Sequence, residues 1–428
     1  MNLSTADLTH LVAALILLLA AAHAGGCLFR TFRQPAVIGE VLGGLLLGPT
    51  VFGLLLPEWQ RWVFSDNAAT VTALGAINHL GLLLLMFSSG AEIRTLVRKG
   101  EARTVALITF TGTALPFLFG LLLLRVLDTS SFLGPARSPA AFGLVFAIGI
   151  AITSIPVISR ILYDLKILET SFARLVLCAA VVEDILLYIL VAIALAQVGH
   201  GGGQAFGLPG MLNMTGTSHA SLAYYTGVPL IFLVLSFLIG PVAFRWASSL
   251  RWNFLHRGSS IGYLLVILLV VVGVAAVLGV PPMFGALMAG IVTSQAIEEP
   301  DRPRQAIASF SFAFFIPIYF AIVGLRLDLI RSFPLGFFLA FLVFACVVKA
   351  LSVYLGARLA REPRSTAWNL AVAMNARGGP GIVLASLALE AGIVDESFYA
   401  VLVMLALVTS LMAGSWLDFI VRRGHQIR

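Results

Sequence analysis

The sequence predicts an all-α polytopic membrane protein. Of its 428 residues, 60% are hydrophobic and only 11% are charged, whereas a soluble domain carries roughly 25% charged residues. The apolar residues form continuous runs long enough for a helix to cross a bilayer, which takes about 20 residues. Strands of a β-barrel lack such runs, so we expect the spans to be helices.

Thirteen apolar segments are predicted to cross the membrane, each ended by a loop with charged, Gly or Pro residues. The predicted spans are residues 8–28, 36–56, 69–91, 104–124, 139–161, 172–196, 221–244, 259–279, 282–297, 306–325, 334–357, 366–389 and 397–421. We expect a single transmembrane domain over residues 1–428, with no soluble regulatory domain.

The basic residues of the loops predict the orientation of the spans. Of the 27 Lys and Arg residues, 20 fall at one set of span ends, 5 fall at the other, and Lys349 and Arg377 lie inside spans. Positive loops face the cytoplasm, so the N-terminus is predicted outside and the C-terminus inside. The net charge of +7 is thereby explained without a nucleic acid partner.

The two halves of the span map match in opposite orientation. Residues 169–172 (Glu-Thr-Ser-Phe) open the sixth span, and residues 395–398 (Asp-Glu-Ser-Phe) open the thirteenth, seven spans later. Because seven is odd, the two copies are inverted in the membrane. We expect a first repeat over about 8–196, a linker helix over about 221–244 and a second repeat over about 259–421, an organisation typical of secondary transporters.

Two adjacent acids, Glu183 and Asp184, lie in the middle of the sixth span. An acid at this depth costs at least about 2.5 kcal/mol, so it indicates function. Adjacent helical residues point about 100° apart, so the two acids cannot both face one partner. Lys349, central in the eleventh span, is the expected partner of Glu183, while Asp184 is expected to face a water-filled cavity.

Two spans in matching positions of the repeats contain helix breakers. The fifth carries Thr153, Ser154 and Pro156, and the twelfth reads Asn375-Ala-Arg377-Gly378-Gly379-Pro380. Interrupted spans in matching positions point to a transporter site. Thr153 and Ser154 are predicted to satisfy freed backbone groups or to offer oxygens to an ion. Arg377 is predicted either to pair with an acid or to compensate the carbonyl ends of the broken helices.

A carboxylate in such a site binds a proton or a dehydrated cation, but not both well, which predicts an antiporter. Asp184 is the predicted carrier of the monovalent cation or proton. We expect exchange of Na+ for protons, with K+/H+ antiport and proton-coupled export of a small organic solute as alternatives. No pattern of an enzyme site or of a cofactor site is present in the sequence, so we expect neither catalysis nor a cofactor.

At these residues the chain resembles the monovalent cation:proton antiporter superfamily, on its Kef-type and NapA-like side. The matching stretches run in family order and are residues 34–49, 84–92, 153–160, Glu183-Asp184, 284–290, 315–324, Lys349 and Asn375-Ala-Arg-Gly378.

The resemblance implies a homodimer in a bacterial inner membrane, with two crossing broken helices in a core domain. That domain would carry the ion by elevator-like alternating access. It also implies that Asp184, the second acid, binds the ion. The position before it is Asp, Asn or Gln in related families but Glu183 here, which leaves the stoichiometry open. Kef-type proteins often add a C-terminal nucleotide-binding domain, which we do not expect because the chain stops at Arg428.

Overall fold

The computed structural model describes residues 4–64, 66–92, 101–167, 170–198, 207–212, 219–250, 254–296, 302–330 and 333–423. Within these residues the chain forms twenty α-helices and one short 3-10 helix, Ser130–Phe132. The α-helices are α1 Thr5–Thr31, α2 Ala36–Leu47, α3 Phe52–Leu55, α4 Pro57–Phe64, α5 Ala68–Glu92, α6 Ala102–Leu123, α7 Pro139–Ala151, α8 Ile155–Asp164, α9 Ser171–Ala196, α10 Leu208–Met211, α11 His219–Ser249, α12 Phe254–Gly258, α13 Ser260–Val277, α14 Pro282–Ala296, α15 Arg302–Ala313, α16 Phe315–Leu325, α17 Leu335–Leu359, α18 Arg364–Ala373, α19 Gly378–Glu390 and α20 Glu396–Arg422.

The predicted class, a polytopic helical membrane protein, is confirmed. When consecutive short helices are counted together, eleven helical segments of the described residues are long and apolar enough to cross a membrane. The other two predicted spans coincide with shorter helices. The fifth falls on α7 and α8, with 13 and 10 residues, and the ninth falls on α14, with 15 residues. The number of crossings therefore stays a prediction.

Two of the predicted spans, the fifth and the twelfth, are interrupted helices, as the sequence predicts. The backbone leaves the helix between α7 and α8, and again between α18 and α19. Pro156 is the second residue of α8 and Pro380 the third residue of α19. Proline is tolerated in a first turn, where its missing N–H has no partner to lose. Both prolines therefore restart a helix after the break.

The chain packs as two compact units, and their boundaries differ from those of the predicted repeats. The first unit consists of Met1–Val71, Thr95–Ala194 and Phe320–Arg428, and the second consists of Thr72–Arg94 and Leu195–Tyr319. All the residues predicted to form the site belong to the first unit. The inverted repeats themselves are not tested by this division, and Glu169 lies outside the described residues.

Close helix packing in the first unit depends on small residues. Gly25 of α1 and Gly39 of α2 face each other so closely that a Cβ on either would collide with the backbone of the other. Gly44 of α2 approaches the backbone of Ala321 in the same way. Small residues allow membrane helices to approach at backbone distance, so these glycines bring α1, α2 and α16 together.

In the second unit, α14 is the buried helix. Its residues from Met283 to Ser294 are all buried, and it packs against α11 and α13. Gly285 lies 2.8 Å, measured from an ideal Cβ, from the Val272 Cα of α13. This close packing explains why so short a helix contains no charged residue.

We expect Gly39→Ala to lower the melting temperature of the purified protein in detergent, because the added methyl group has no space. Overpacking of this kind costs about 1–3 kcal/mol. Gly75→Ala is the matched control, since a Cβ at Gly75 meets nothing within 4 Å and alanine is the better helix former by about 0.5–1 kcal/mol. Equal melting temperatures for the two variants would contradict the close approach of α1 and α2.

Candidate functional site

Four of the buried charged side chains in the first unit are those predicted from the sequence to form the site. Glu183 and Asp184 are on α9, Lys349 is on α17, and Arg377 lies between α18 and α19; each is at most 3% exposed. A buried charge costs several kcal/mol unless it is paired and hydrogen-bonded. The partners of each charge therefore show what the site can do.

The predicted pair of Glu183 and Lys349 is present. Lys349 Nζ donates to Glu183 Oε2 at 2.9 Å, to the carbonyl of Ala151 at 2.6 Å and to the carbonyl of Gly112 at 2.9 Å. An ammonium group has three donors, so every hydrogen of Lys349 has an acceptor. These three bonds hold together α6, α7, α9 and α17.

Arg377 pairs with carbonyl groups rather than with an acid. Its guanidinium group makes five hydrogen bonds of 3.0 to 3.2 Å, which satisfy all five donors. The acceptors are the carbonyls of Gly149, Ile150, Ala345 and Asn375 and the side-chain oxygen of Asn375. Of the two roles predicted for Arg377, compensation of broken helix ends is therefore the one observed.

The two cations together cap the carbonyl end of α7. Its last three carbonyls belong to Gly149, Ile150 and Ala151, of which Arg377 binds the first two and Lys349 the third. The C-terminus of a helix carries about half a negative charge and leaves its final carbonyls without helical partners. Arg377 and Lys349 thus satisfy a helix end that stops inside the protein.

The two interrupted segments cross and bond to each other. Thr153 Oγ1 donates to the carbonyl of Met374 at 2.7 Å, and the backbone N–H of Ser154 donates to the carbonyl of Ala376 at 2.6 Å. Gly378 has a positive φ of 30°, and an ideal Cβ there would lie 2.8 Å from Ser154 Oγ. Only a glycine fits this close approach. The Thr153 hydroxyl therefore satisfies a freed backbone carbonyl, as one of the two predictions had it, while Ser154 does so through its backbone N–H rather than its hydroxyl.

The other predicted residues of the second break, Asn375, Gly379 and Pro380, have different surroundings. Asn375 Nδ2 donates to the carbonyl of Ala371 at 2.9 Å, which fixes the amide oxygen that Arg377 binds. Gly379 has open space beside it, with Phe320 at 4.0 Å from an ideal Cβ. Pro380 lies in the first turn of α19, as described above.

Asp184 is the acid of this cluster that forms no ion pair with the described residues. Its side chain is buried at 3% exposure, and its Oδ1 makes no hydrogen bond to any residue that the structure describes. The carboxylate lies in the protein interior, and the water-filled cavity expected beside it stays a prediction. Glu183 and Lys349 are the charged groups that act on it. Lys349 forms its ion pair with Glu183, so Asp184 has no cation of its own among the described residues of the cluster.

Three residues that the sequence did not single out contact the site. The Gly112 carbonyl binds Lys349, the Thr113 hydroxyl lies beside the Glu183 carboxylate, and Ser410 Oγ accepts the N–H of Gly378 at 3.1 Å. Gly112 and Thr113 belong to a Thr-Gly-Thr stretch in the fourth span, a small and polar pattern that could have been noticed. Ser410 directly follows Thr409, which lies eleven residues after Phe398 as Glu183 lies eleven after Phe172.

A family model described as "Sodium/hydrogen exchanger, transmembrane" matches residues 14–423 of the chain. The chain belongs to this sodium/hydrogen exchanger family. The superfamily resemblance noted in the sequence is thereby confirmed. The solved structure of the sodium proton antiporter MjNhaP1 from Methanocaldococcus jannaschii is similar to this chain, with a TM-score of 0.64 over 97% of the chain and 98% of that protein. At 15% identity, that likeness shows the fold alone.

The curated relatives of this chain fall into two length classes. K(+)/H(+) antiporter 1 of Saccharomyces cerevisiae is 28% identical over 90% of this chain but only 43% of its own length. The chain spans just under half the length of that relative and of several plant cation/H(+) antiporters. The Na(+)/H(+) antiporter NhaS4 of Synechocystis sp. is 26% identical over 96% of this chain and 97% of its own length.

We expect the Glu183–Lys349 pair to show strong energetic coupling. Glu183→Gln or Lys349→Met alone leaves one buried charge unpaired, which costs about 3–5 kcal/mol. The double variant should lose less than the sum of the single losses, by about 0.5–3 kcal/mol. Denaturant unfolding in mixed micelles measures all four free energies.

The half-exposed pair Arg326–Glu390, with an N···O distance of 3.8 Å, is the control for this cycle. Arg326→Met and Glu390→Gln should couple by less than about 1 kcal/mol, as surface pairs do. Additive losses at Glu183 and Lys349 would mean that the two charges do not depend on each other.

Proposed function

We propose that this protein carries out cation/proton antiport and that Asp184 is the group that binds the transported ion. The observation that carries the proposal is the charge balance of the buried cluster. Lys349 is balanced by Glu183, and Arg377 is bound by helix carbonyls. Asp184 alone keeps an uncompensated negative charge, so it needs either a cation or a proton.

Competition for one carboxylate gives the exchange reaction. A bound proton makes Asp184 neutral, and a bound monovalent cation makes it part of a neutral ion pair. Each occupant removes the same buried charge, so binding of one favours release of the other. The empty, ionised carboxylate is the costly state inside the membrane, which opposes movement of an unloaded site and couples the two fluxes.

The neighbouring residues have distinct proposed roles. The Thr153 and Ser154 hydroxyls retain lone pairs as hard oxygen ligands for a small cation. Asn375, Gly378, Gly379 and Pro380 keep the crossing in shape, and the Glu183–Lys349 pair sets the potential felt by Asp184. Whether Glu183 also exchanges a proton decides between one and two protons per cation.

Na+ is the cation we favour, with K+ as the alternative. A relative that matches over nearly its whole length is named an Na+/H+ antiporter, which supports Na+. The yeast relative, named a K+/H+ antiporter, supports K+, but it matches over less than half of its own length.

We further propose elevator-like alternating access in a homodimer, with thirteen spans arranged as two inverted repeats around a linker helix. The paired breaks at α7–α8 and α18–α19 support the repeats, because they lie seven spans apart in the predicted map. The asymmetry of Lys and Arg in the loops supports an external N-terminus and a cytoplasmic C-terminus in a bacterial inner membrane.

We expect Asp184→Asn to abolish cation-driven dissipation of a pH gradient in proteoliposomes, because asparagine neither ionises nor takes up a proton. The variant should keep its melting temperature or raise it, since it removes a buried charge. Asp66→Asn, at an exposed acid between α4 and α5, is the control and should exchange at the wild-type rate. Exchange that survives in Asp184→Asn would move the ion-binding role to another residue.

Cation choice and stoichiometry are measured in the same vesicles. Na+, K+ and Li+ are titrated separately, each with and without a clamped membrane potential. We expect Na+ to give the lowest half-saturating concentration. A lower value for K+ would assign the protein to K+/H+ exchange. A rate that depends on the potential would mean unequal charge movement, and a rate that does not would mean one proton per cation.

A further inference from the structure

We infer that Gly112 of α6 is a positioning residue that makes room for a glutamate side chain at position 183. The inference rests on the proposed function, because the pair Glu183–Lys349 that Gly112 positions is adjacent to Asp184, the proposed ion-binding acid.

Gly112 contacts both members of the pair. Its carbonyl accepts a hydrogen bond from Lys349 Nζ at 2.9 Å. An ideal Cβ on Gly112 would lie 3.0 Å from Glu183 Oε1 and 3.9 Å from Lys349 Nζ. A third neighbour, Val353 Cγ2, would lie 3.0 Å away. The missing side chain of Gly112 is therefore the space that the Glu183 carboxylate fills.

A glycine at position 112 destabilises the helix, so some other feature of the structure must favour it. Gly112 lies in the middle of the 22-residue helix α6, where glycine is less favourable than alanine by about 1 kcal/mol. Its φ is not positive, since it is absent from the positive-φ glycines of the described residues, so backbone conformation does not require it. Space for its neighbours remains as the reason.

The carboxylate cannot move aside without loss. Glu183 Oε2 is held by Lys349, and Lys349 is held in turn by Gly112 and Ala151. A methyl group at position 112 would push Oε1 away and rotate the carboxylate off the lysine. If α6 shifted instead, the Gly112 carbonyl would withdraw from Lys349. Either response weakens the pair, and a shorter acid at position 183 is the change that would relieve it.

The test is a double-variant cycle of Gly112→Ala with Glu183→Asp in proteoliposomes, with the melting temperature as a second measurement. Gly112→Ala should lower the exchange rate about tenfold, as expected for losing one hydrogen bond to a charged group. Glu183→Asp should also lower it, since the shorter side chain reaches Lys349 less well. We express each exchange rate as a fraction of the wild-type rate. The fraction for the double variant should exceed the product of the fractions for the two single variants by at least about threefold.

Gly120→Ala is the control, on the same helix. Its ideal Cβ would lie 2.9 Å from Ile150 Cδ1, so it is crowded but by apolar atoms rather than by the pair. The fractional loss of exchange rate in Gly120→Ala should combine with that of Glu183→Asp by simple multiplication, as expected for two independent sites. Simple multiplication of the Gly112→Ala and Glu183→Asp effects, or equal coupling at Gly120, would overturn the inference.

Two further outcomes are decided by the same variants. If Gly112→Ala alone gives no folded protein, Glu183→Asp should restore folding and Val353→Ala should not; restoration by Val353→Ala alone, or by neither, would overturn the inference. If the wild type shows no exchange, the proposed antiport fails, while the melting-temperature cycle still tests whether Gly112 and Glu183 depend on each other.

Discussion

The end of α7 inside the protein is the constraint on which the rest of the site depends. A helix that stops there leaves carbonyl groups that water cannot satisfy. Arg377 and Lys349 bind the last three of these carbonyls. Lys349 is on α17 and Arg377 lies between α18 and α19, both far from α7 in the sequence. The break at the end of α7 therefore fixes the position of these three helices.

This capping also explains why positive charge is stable at this depth. Arg377 is balanced by the negative ends of two interrupted helices, each worth about half a charge, and not by an acid. Lys349 is left to Glu183, and no cation remains for Asp184 among the described residues of the cluster. The same hydrogen bonds that close the fold thus leave one acid available for an ion.

The parts of the site that follow from side-chain chemistry could be predicted from the sequence. A lone lysine at mid-span needs an acid, and a proline with glycines breaks a helix, so Glu183–Lys349 and both breaks could be predicted. The carbonyls bound by Lys349 and Arg377 could not, because every residue carries a carbonyl and its identity says nothing. Gly112 was missed for a related reason, since its role is the absence of a side chain. The count of thirteen spans stays a prediction, because α7 and α14, with 13 and 15 residues, are shorter than a full span.

The crossing of the two breaks bears on how such a site could move. Thr153 and Ser154 bond to the carbonyls of Met374 and Ala376, so the freed backbone groups are satisfied by one another. All these residues, together with Glu183, Asp184 and Lys349, lie in one compact unit. An elevator-like motion requires the ion-binding acid to travel with its whole hydrogen-bond network. The hydrogen bonds described for the site join residues of this one unit, which is the arrangement that the elevator-like access proposed above requires.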